Sequence, residues 1–352
     1  MTYIDLAIRR QVILERLKSA ENEKFQKTLR RLNRLIRDAF FELDGDISES
    51  SRTNLNNFIR QLSLDQAKIY SEATENFINE SVPKISPVTA AQEIIDLEKT
   101  IALGSTKLKT IKNRTLVNRV LARPVTNSGK LLDPWLQEFT DAEINRLNGV
   151  VRAGHAQGKT NSEIVREIIG TKSRNFRDGM LNTTRRNAET IVRTSVQHAA
   201  SSARQEVYEN NTDVVEKYEW LSTLDSDTSR LCRTLDGQQF EHGQGPVPPL
   251  HPRCRSTTLP VLSDEFDFLS VGRTRSSADG PVSANTSYYE WLKRQTKAEQ
   301  LEILGPAQTK LFRDGGLSAT EFSRLQLDKN FQPLTLEEMR QKEPAAFERA
   351  GL

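Results

Sequence analysis

The chain has 352 residues, of which 36% are hydrophobic and 28% charged, and its 50 basic residues nearly balance its 47 acidic ones. This length allows two or three domains with modest cores, and the balanced charge argues against a nucleic-acid polycation. Asp5, Arg9, Arg10 and Glu15 interrupt the first apolar run, which argues against a signal peptide. No stretch approaches the roughly 20 apolar residues that span a bilayer. We therefore expect a protein with no membrane partner, which leaves its compartment only inside a particle.

The first 130 residues are predicted to be helical. Apolar residues recur every three or four positions over Phe25–Leu43 and again over Leu55–Phe77. We expect the first helix to end near Asp44-Gly45 and the segment Pro83–Pro87 to break the second. The single apolar stripe of the first helix needs a partner surface, which is either the next helix or another subunit. Its other faces carry Lys27, Arg30, Arg31, Arg34 and Arg37.

A basic segment runs from Lys107 to Leu132, with seven basic residues and no acidic one. Such a run could contact phosphates, because neutralising a phosphate releases condensed counterions. A solvated helix face or a contact with an acidic protein surface are the alternatives. The candidate contact residues are Lys107, Lys109, Lys112, Arg114, Arg119 and Arg123.

Two helices joined by a glycine-containing turn are predicted between Thr140 and Thr171. Thr140 or Asp141 is expected to cap the first helix, and Thr160 or Asn161 the second. The pair resembles a helix-turn-helix unit and raises the alternative of a DNA-binding regulator. Its second helix offers only Arg166 as a basic group, which favours a packing hairpin.

The rest of the chain predicts an α+β fold that is predominantly helical. After a long helix over Arg185–Asn211, strand character appears in Val214–Leu221, Gln239–Phe240 and Thr257–Leu262. We divide the chain into a helical N-terminal region, an α+β module, a linker and a helical C-terminal tail. Their ranges are 1–130, 131–262, 263–287 and 288–352.

Both cysteines and two of the four histidines lie in the segment 223–260. Cys232, His242, His251 and Cys254 offer two thiolates and two imidazoles, enough for a tetrahedral zinc site. The gap between Cys232 and His242 matches no common zinc finger, so Asp225 or Asp227 could replace His242. Two alternatives stay open, namely ordinary buried cysteines and a disulfide. His155 and His198 have no such neighbours and are interpreted as structural.

The same segment resembles the phage Mu F-like minor head proteins, also described as head morphogenesis proteins. The resemblance rests on Trp220, Asp225-Ser226-Asp227-Thr228, Cys232, Leu235-Asp236-Gly237 and the run Pro248-Pro249-Leu250-His251-Pro252-Arg253-Cys254-Arg255. Upstream, Glu189–Ser195 resembles the family's Arg-Thr-centred helix, and segments after Tyr289 resemble its tail. The resemblance covers roughly residues 131–345. Family members usually have a second cysteine where this chain has Ser256, so any metal or disulfide chemistry of that position is lost here.

The resemblance implies a minor structural protein of a tailed-phage head. Such a protein is assembled in the host cytoplasm and lies inside the head near the portal vertex, where it acts in assembly, DNA packaging or DNA ejection. Its implied partners are the portal protein, packaged double-stranded DNA and capsid or scaffold proteins. The alternative is an enzyme, either a toxin or a metal-dependent nuclease or hydrolase that uses Asp225, Asp227, Cys232 and His251. No Walker loop, nucleophile elbow or HExxH pair supports catalysis.

Overall fold

The computed structural model describes residues 3–101, 107–263 and 274–352. The described residues form helices α1–α14 and strands β1–β5, which confirms the predominantly helical α+β class. In chain order these are α1 Tyr3–Phe41, α2 Arg52–Asn76, α3 Val82–Thr100, α4 Asn113–Leu121, α5 Leu132–Ala156, α6 Asn161–Ile169, α7 Met180–Asn210, β1 Val215–Leu221, α8 Arg230–Leu235, β2 Gln239–Glu241, β3 Thr257–Leu262, β4 Thr274–Ser277, β5 Gly280–Ser283, α9 Tyr288–Lys293, α10 Lys297–Leu304, α11 Pro306–Asp314, α12 Ala319–Arg324, α13 Leu336–Lys342 and α14 Pro344–Ala350. Among them, no helix is long and apolar enough to cross a membrane.

The apolar stripe of α1 finds its partner surface within the same chain. Leu32, Ile36 and Phe40 are buried in a core that also contains residues of α2, α5 and α6. The helix ends at Phe41, close to the predicted Asp44-Gly45. The partner surface of α1 is therefore formed by helices of the same chain, which pack with it as a bundle.

The prediction that the segment Pro83–Pro87 breaks the second helical region is wrong. A π-helical turn, Phe77–Ser81, joins α2 directly to α3. Pro83 lies in the first turn of α3, where a backbone N–H would lack a helical partner in any case. Pro87 lies inside α3 and is tolerated at the loss of one backbone hydrogen bond.

The helix predicted to begin at Thr140 in fact begins earlier. Helix α5 starts at Leu132, and the buried Trp135 and Phe139 extend its apolar face upstream. The Thr140 hydroxyl donates to the Leu136 carbonyl at 3.2 Å, so it bonds back along the helix and does not cap it. The next prediction is confirmed, since Thr160 caps α6 in a reciprocal capping box with its N3 residue.

A buried ionic cluster ties α1 and α3 to α7. Glu93 of α3 accepts hydrogen bonds from Arg204 Nε at 3.1 Å and from Tyr208 Oη at 2.8 Å, and it also pairs with Arg10 of α1. Each of these side chains is less than a tenth exposed. Helices on both sides of the predicted boundary at residue 130 therefore share one core.

A three-stranded antiparallel sheet with the order β2-β1-β3 follows α7. Strand β1 pairs with β3 so that Trp220 lies opposite Thr258, and with β2 so that Tyr218 lies opposite Phe240. All three predicted strands are present within one residue of their predicted limits. Helix α8 and the Asp236-Gly237 turn lie between β1 and β2, and the loop from β2 to β3 carries His251 and Cys254.

The predicted linker, residues 263–287, contains ordered structure. Residues 264–273 lie outside the described part of the chain, but Thr274–Ser283 forms the β4–β5 hairpin. Arg275 of this hairpin is buried and forms an ion pair with the equally buried Asp236. Leu224 of the module packs into the core of the C-terminal helices. The tail is therefore packed onto the module through charge and apolar contacts that the linker composition did not reveal.

His198 of α7 is buried, and burial lowers its pKa to about 4. A histidine in the unfolded chain titrates near pH 6.5, so the unfolded state binds more protons between about pH 6.5 and 4. Stability is thus complete above about pH 6.5 and falls as the pH falls through that window, by up to about 3 kcal/mol. We expect His198→Gln to weaken this acid dependence, measured by urea unfolding across the window. A variant with the wild-type pH profile would contradict the assignment.

Candidate metal centre

Three of the predicted ligands come together where α8 meets the loop between β2 and β3. Ser229 caps α8 by accepting from the Cys232 amide at 3.3 Å, which places the Cys232 thiol on the first turn of that helix. The loop turns back so that the Cys254 amide donates to the His251 carbonyl at 3.1 Å. Arg253, inside this turn, has a φ of 60°. The tight turn brings His251 and Cys254 to the same side, as the two-residue gap predicted.

The ligand atoms of Cys232, His251 and Cys254 all lie within 4.8 Å of one another. Cys232 Sγ is 3.6 Å from Cys254 Sγ and 3.1 Å from His251 Nε2. In a tetrahedral zinc site, with Zn–S of about 2.3 Å and Zn–N of about 2.0 Å, neighbouring ligand atoms are about 3.5–3.8 Å apart. The sulfur–sulfur separation is therefore near that of a zinc tetrahedron, the separation of Cys232 Sγ from His251 Nε2 is somewhat shorter, and the two sulfurs are not bonded to each other.

The imidazole of His251 is oriented as in many metal-bound histidines. Its Nδ1 lies 2.9 Å from the Pro252 carbonyl oxygen, to which an N–H at this position donates. A metal-ligating histidine usually donates its other ring N–H to a carbonyl or carboxylate. Nε2 faces the sulfurs and lies 2.8 Å from Ser229 Oγ. Sequence reasoning missed Ser229, although its position three residues before Cys232 is typical of a helix cap.

The two cysteines differ in electrostatic character. The hydrogen bond from Cys232, together with nearby His251, holds the pKa of Cys254 well below its usual value against the effect of burial. The same sulfur contact and burial raise the pKa of Cys232, and contact with Cys254 raises the pKa of His251. The arrangement favours a Cys254 thiolate, the form that binds metals. Metal binding would displace the protons on Cys232 and His251.

The structure does not bring His242 to this cluster. His242 Nε2 lies 2.8 Å from the Val215 carbonyl oxygen, and its Nδ1 lies 3.4 Å from Gln205 Nε2, against a different part of β1 and α7. The His242 prediction fails because His242 directly follows β2, whose register with β1 places it beside Val215 at the start of β1, away from the loop turn. Its nine-residue gap from Cys232 had already matched no common ligand spacing.

The two aspartates predicted as substitutes have different surroundings. Both carboxylate oxygens of Asp225 accept from Arg255, at 2.7 and 2.8 Å, so this side chain is held in an ion pair. Asp227 instead lines a small cavity together with Cys232 and His251. Among the described residues, the group of side chains close enough together to hold a metal ion contains Cys232, His251 and Cys254 and neither aspartate. Asp225 is also poorly placed for the hydrolytic role considered from the sequence.

Ser256 lies at the position where the family resemblance predicts a second cysteine. Its side chain lines the same small cavity as Cys232 and His251, and a hydrogen bond from it lowers the pKa of Cys232. Ser256 Oγ is also 3.3 Å from Ser222 Oγ, and the residue is buried. A cysteine at this position would thus face the cluster, whereas the serine hydroxyl present here is a poor zinc ligand.

The family match covers the residues that form the Cys/His cluster. Residues 145–259 match the family model described as Phage Mu protein F like protein. This segment is phage Mu F-like. The match runs from the middle of α5 to β3 and contains the whole Cys/His cluster, which confirms the family resemblance drawn from the sequence motifs. Neither the curated proteins nor the solved structures compared with the chain gave a significant match.

The Mu F-like segment indicates a bacteriophage head protein and hence a place in the virion. It also favours a structural role over an enzymatic one. The segment covers residues of α5, α6 and α7 that share a core with the N-terminal helices, so the N-terminal region and the Mu F-like segment fold against each other.

Acidic residues in α7 and just after it compensate part of the predicted basic segment. Arg119 and Arg123 pair with Glu206 at 3.1 and 2.6 Å, and Lys109 pairs with Asp213 at 3.1 Å. The expectation of uncompensated charge is therefore wrong for these residues, because their partners lie about a quarter of the chain away in sequence. Within the described part of the chain, the exposed cations without an ion pair in this stretch are Lys107, Lys112 and Arg114.

Proposed function

We propose that the protein is a minor structural component of a tailed-phage head, associated with the portal inside the capsid and acting in head assembly, DNA packaging or DNA ejection. The observation that carries this proposal is the family match over residues 145–259. Under this proposal the Mu F-like segment is the folding core, and the helical N-terminal region, which packs onto it, presents surfaces to other head proteins.

We also propose that Cys232, His251 and Cys254 hold a structural zinc ion, with Asp227 or water as the fourth ligand. Support comes from the donor set, from the separations of its atoms and from the carbonyl contact of His251 Nδ1. Zinc would cross-link α8 to the loop between β2 and β3 and so stabilise the small core around Trp220.

A portal contact can be tested by co-expressing the full chain with the portal protein of its own phage. We expect the two proteins to co-purify as a complex with a fixed small ratio of this chain to each portal ring. As a matched control, the portal protein of an unrelated phage should not retain the chain under the same salt conditions. A chain that elutes alone from every portal preparation would contradict the portal assignment while leaving the family match untouched.

A DNA contact would fall on the three cations without an ion pair, Lys107, Lys112 and Arg114. We expect their joint replacement by glutamine to weaken binding to duplex DNA and to lower the salt slope of log K by up to about 3, since each neutralised phosphate contributes about 0.9. Fluorescence anisotropy across a salt series measures this. Lys109→Gln, which removes a lysine already paired with Asp213, serves as the control and should change the slope less. An unchanged slope in the triple variant would reject the DNA contact.

A further inference from the structure

A second surface lies on the helical part of the molecule, away from the Cys/His cluster. Helices α1, α2, α5 and α7 surround an open cavity of about 540 Å³ next to the π-helical turn. Its apolar lining includes Phe25, Phe77, Leu136, Phe139 and Val192. A volume of this size accommodates one or two large apolar side chains and lies within the range of ligand sites. π-helical turns also occur frequently at functional sites.

The rim of this cavity is predominantly basic. Lys24, Lys27, Arg31 and Lys84 lie around it, against the two carboxylates of Glu21 and Glu80. Lys24 and Lys84 are 58% and 70% exposed, so their ion pairs with these carboxylates are exposed to solvent and contribute little stability. Glu21 is itself only 11% exposed and also accepts from Ser81, whereas Glu80 is 63% exposed, so the rim presents four cations and one open carboxylate to a partner.

The basic character continues along α1 beyond the cavity. From Lys24 to Arg37 the helix has six basic residues and no acidic one. Arg30 and Arg34 are exposed, and within the described residues neither has an ion-pair partner. Among the described residues, carboxylates of the chain pair with only two of these six cations, Lys24 with Glu21 and Arg31 with Glu72, so the stripe is neutralised less than the stretch around Arg119 and Arg123.

We propose that this basic-rimmed cavity, lined by Phe25, Phe77 and Phe139, docks an acidic peptide segment of a partner protein that inserts an apolar side chain between the helices. The apolar lining decides the class of partner, because a nucleic-acid backbone offers phosphates but no apolar group to fill the cavity. A second copy of the same surface would bring cations against cations. A peptide with carboxylates on both sides of an apolar side chain pairs with the basic rim and fills the apolar cavity.

This inference deepens the proposed function and rests on it only for the expectation that the N-terminal region meets other head proteins. Its test uses the purified full chain and a synthetic probe, so its failure would be distinguishable from failure to find the chain in a virion. The probe is a short fluorescein-labelled peptide of glutamates interspersed with phenylalanine and leucine. Companion probes are a polyglutamate peptide, the same peptide with glutamine in place of glutamate, and duplex DNA.

We expect the acidic apolar peptide to bind with an affinity that falls as salt rises. Two variants should each weaken that binding at least tenfold. Ala73→Leu adds apolar bulk to the cavity wall without changing charge, and Lys27→Glu with Lys84→Glu reverses two rim charges on exposed sites. A matched control, Lys297→Glu with Lys329→Glu, reverses two exposed charges on the C-terminal helical region and should bind as the wild type does.

Several outcomes would overturn the proposal. They are absence of binding by the acidic apolar peptide, equal binding of polyglutamate, and unchanged affinity in the rim variant. Tighter binding of duplex DNA than of the peptide, lost in the rim variant, would assign the stripe to nucleic acid instead. Thermal unfolding of each variant confirms that it is folded, and the rim variant keeps the test valid if Ala73→Leu does not fold.

Discussion

Replacing Cys254 with serine is expected to remove bound zinc and to lower the free energy of unfolding by at least about 3 kcal/mol, because structural zinc contributes directly to folding. Cys254 Sγ lies 3.6 Å from Cys232 Sγ, and both sulfurs lie within 4.8 Å of the ligand nitrogen of His251. The residue is also buried in the small core with Trp220, Cys232 and Leu250. Metal content by mass spectrometry and urea unfolding of the same preparations measure the two effects.

The matched control is His242→Gln, which removes the sequence-predicted ligand that the structure places elsewhere. We expect it to keep the full metal content, since His242 contacts Val215 and Gln205 and not the cluster. A third variant, Ser256→Cys, should increase the affinity for zinc by adding a thiolate that faces the same cavity. Wild-type protein that is stable and free of zinc after purification in zinc-containing medium would contradict the metal assignment.

Replacing Arg275 with methionine is expected to cost about 3–5 kcal/mol, the usual loss when one partner of a buried ion pair is removed. Arg275 donates to both carboxylate oxygens of Asp236 at 2.9 Å and to the Thr286 carbonyl at 3.1 Å. Asp236 also accepts from the amides of Ser222 and Tyr288, each at 2.7 Å. The pair thus joins the end of β1, the turn after α8, the β4–β5 hairpin and α9.

The loss should appear as a lower midpoint of urea unfolding and as earlier proteolysis within the C-terminal helices. Arg294→Met is the control, because Arg294 is exposed and has no ion pair among the described residues. This change should lower the free energy of unfolding by less than about 0.5 kcal/mol. If Arg275→Met unfolds like the control, the buried pair does not hold the C-terminal region on the Mu F-like segment.

Local patterns in the sequence were sufficient for much of the fold. Thr257–Leu262 is a strand with the predicted limits, and Thr160, one of the two predicted caps of α6, is the cap in the structure. The motif from Pro248 to Arg255 identified the family and two of the three clustered ligands. Each of these features depends on neighbours within a few residues, where propensity and spacing carry most of the information.

The errors arose where distant residues decide the outcome. The charge of Arg123 is matched by Glu206 and Glu209, which approach only when α4 packs on α7. His242 directly follows β2, and the pairing of β2 with β1 determines where its side chain lies. The polar composition of the predicted linker did not indicate the β4–β5 hairpin, in which the buried Arg275 pairs with Asp236. Sequence spacing contains none of these tertiary contacts.

We propose that this chain is a component of the phage head. Quantitative mass spectrometry of purified virions and of heads emptied of DNA tests it most directly, with the count expressed as copies of this chain per portal ring. We predict a fixed, small ratio in the virion, and a lower ratio in emptied heads if the protein acts in ejection. Absence of the chain from virions, emptied heads and assembly intermediates alike would contradict the claim.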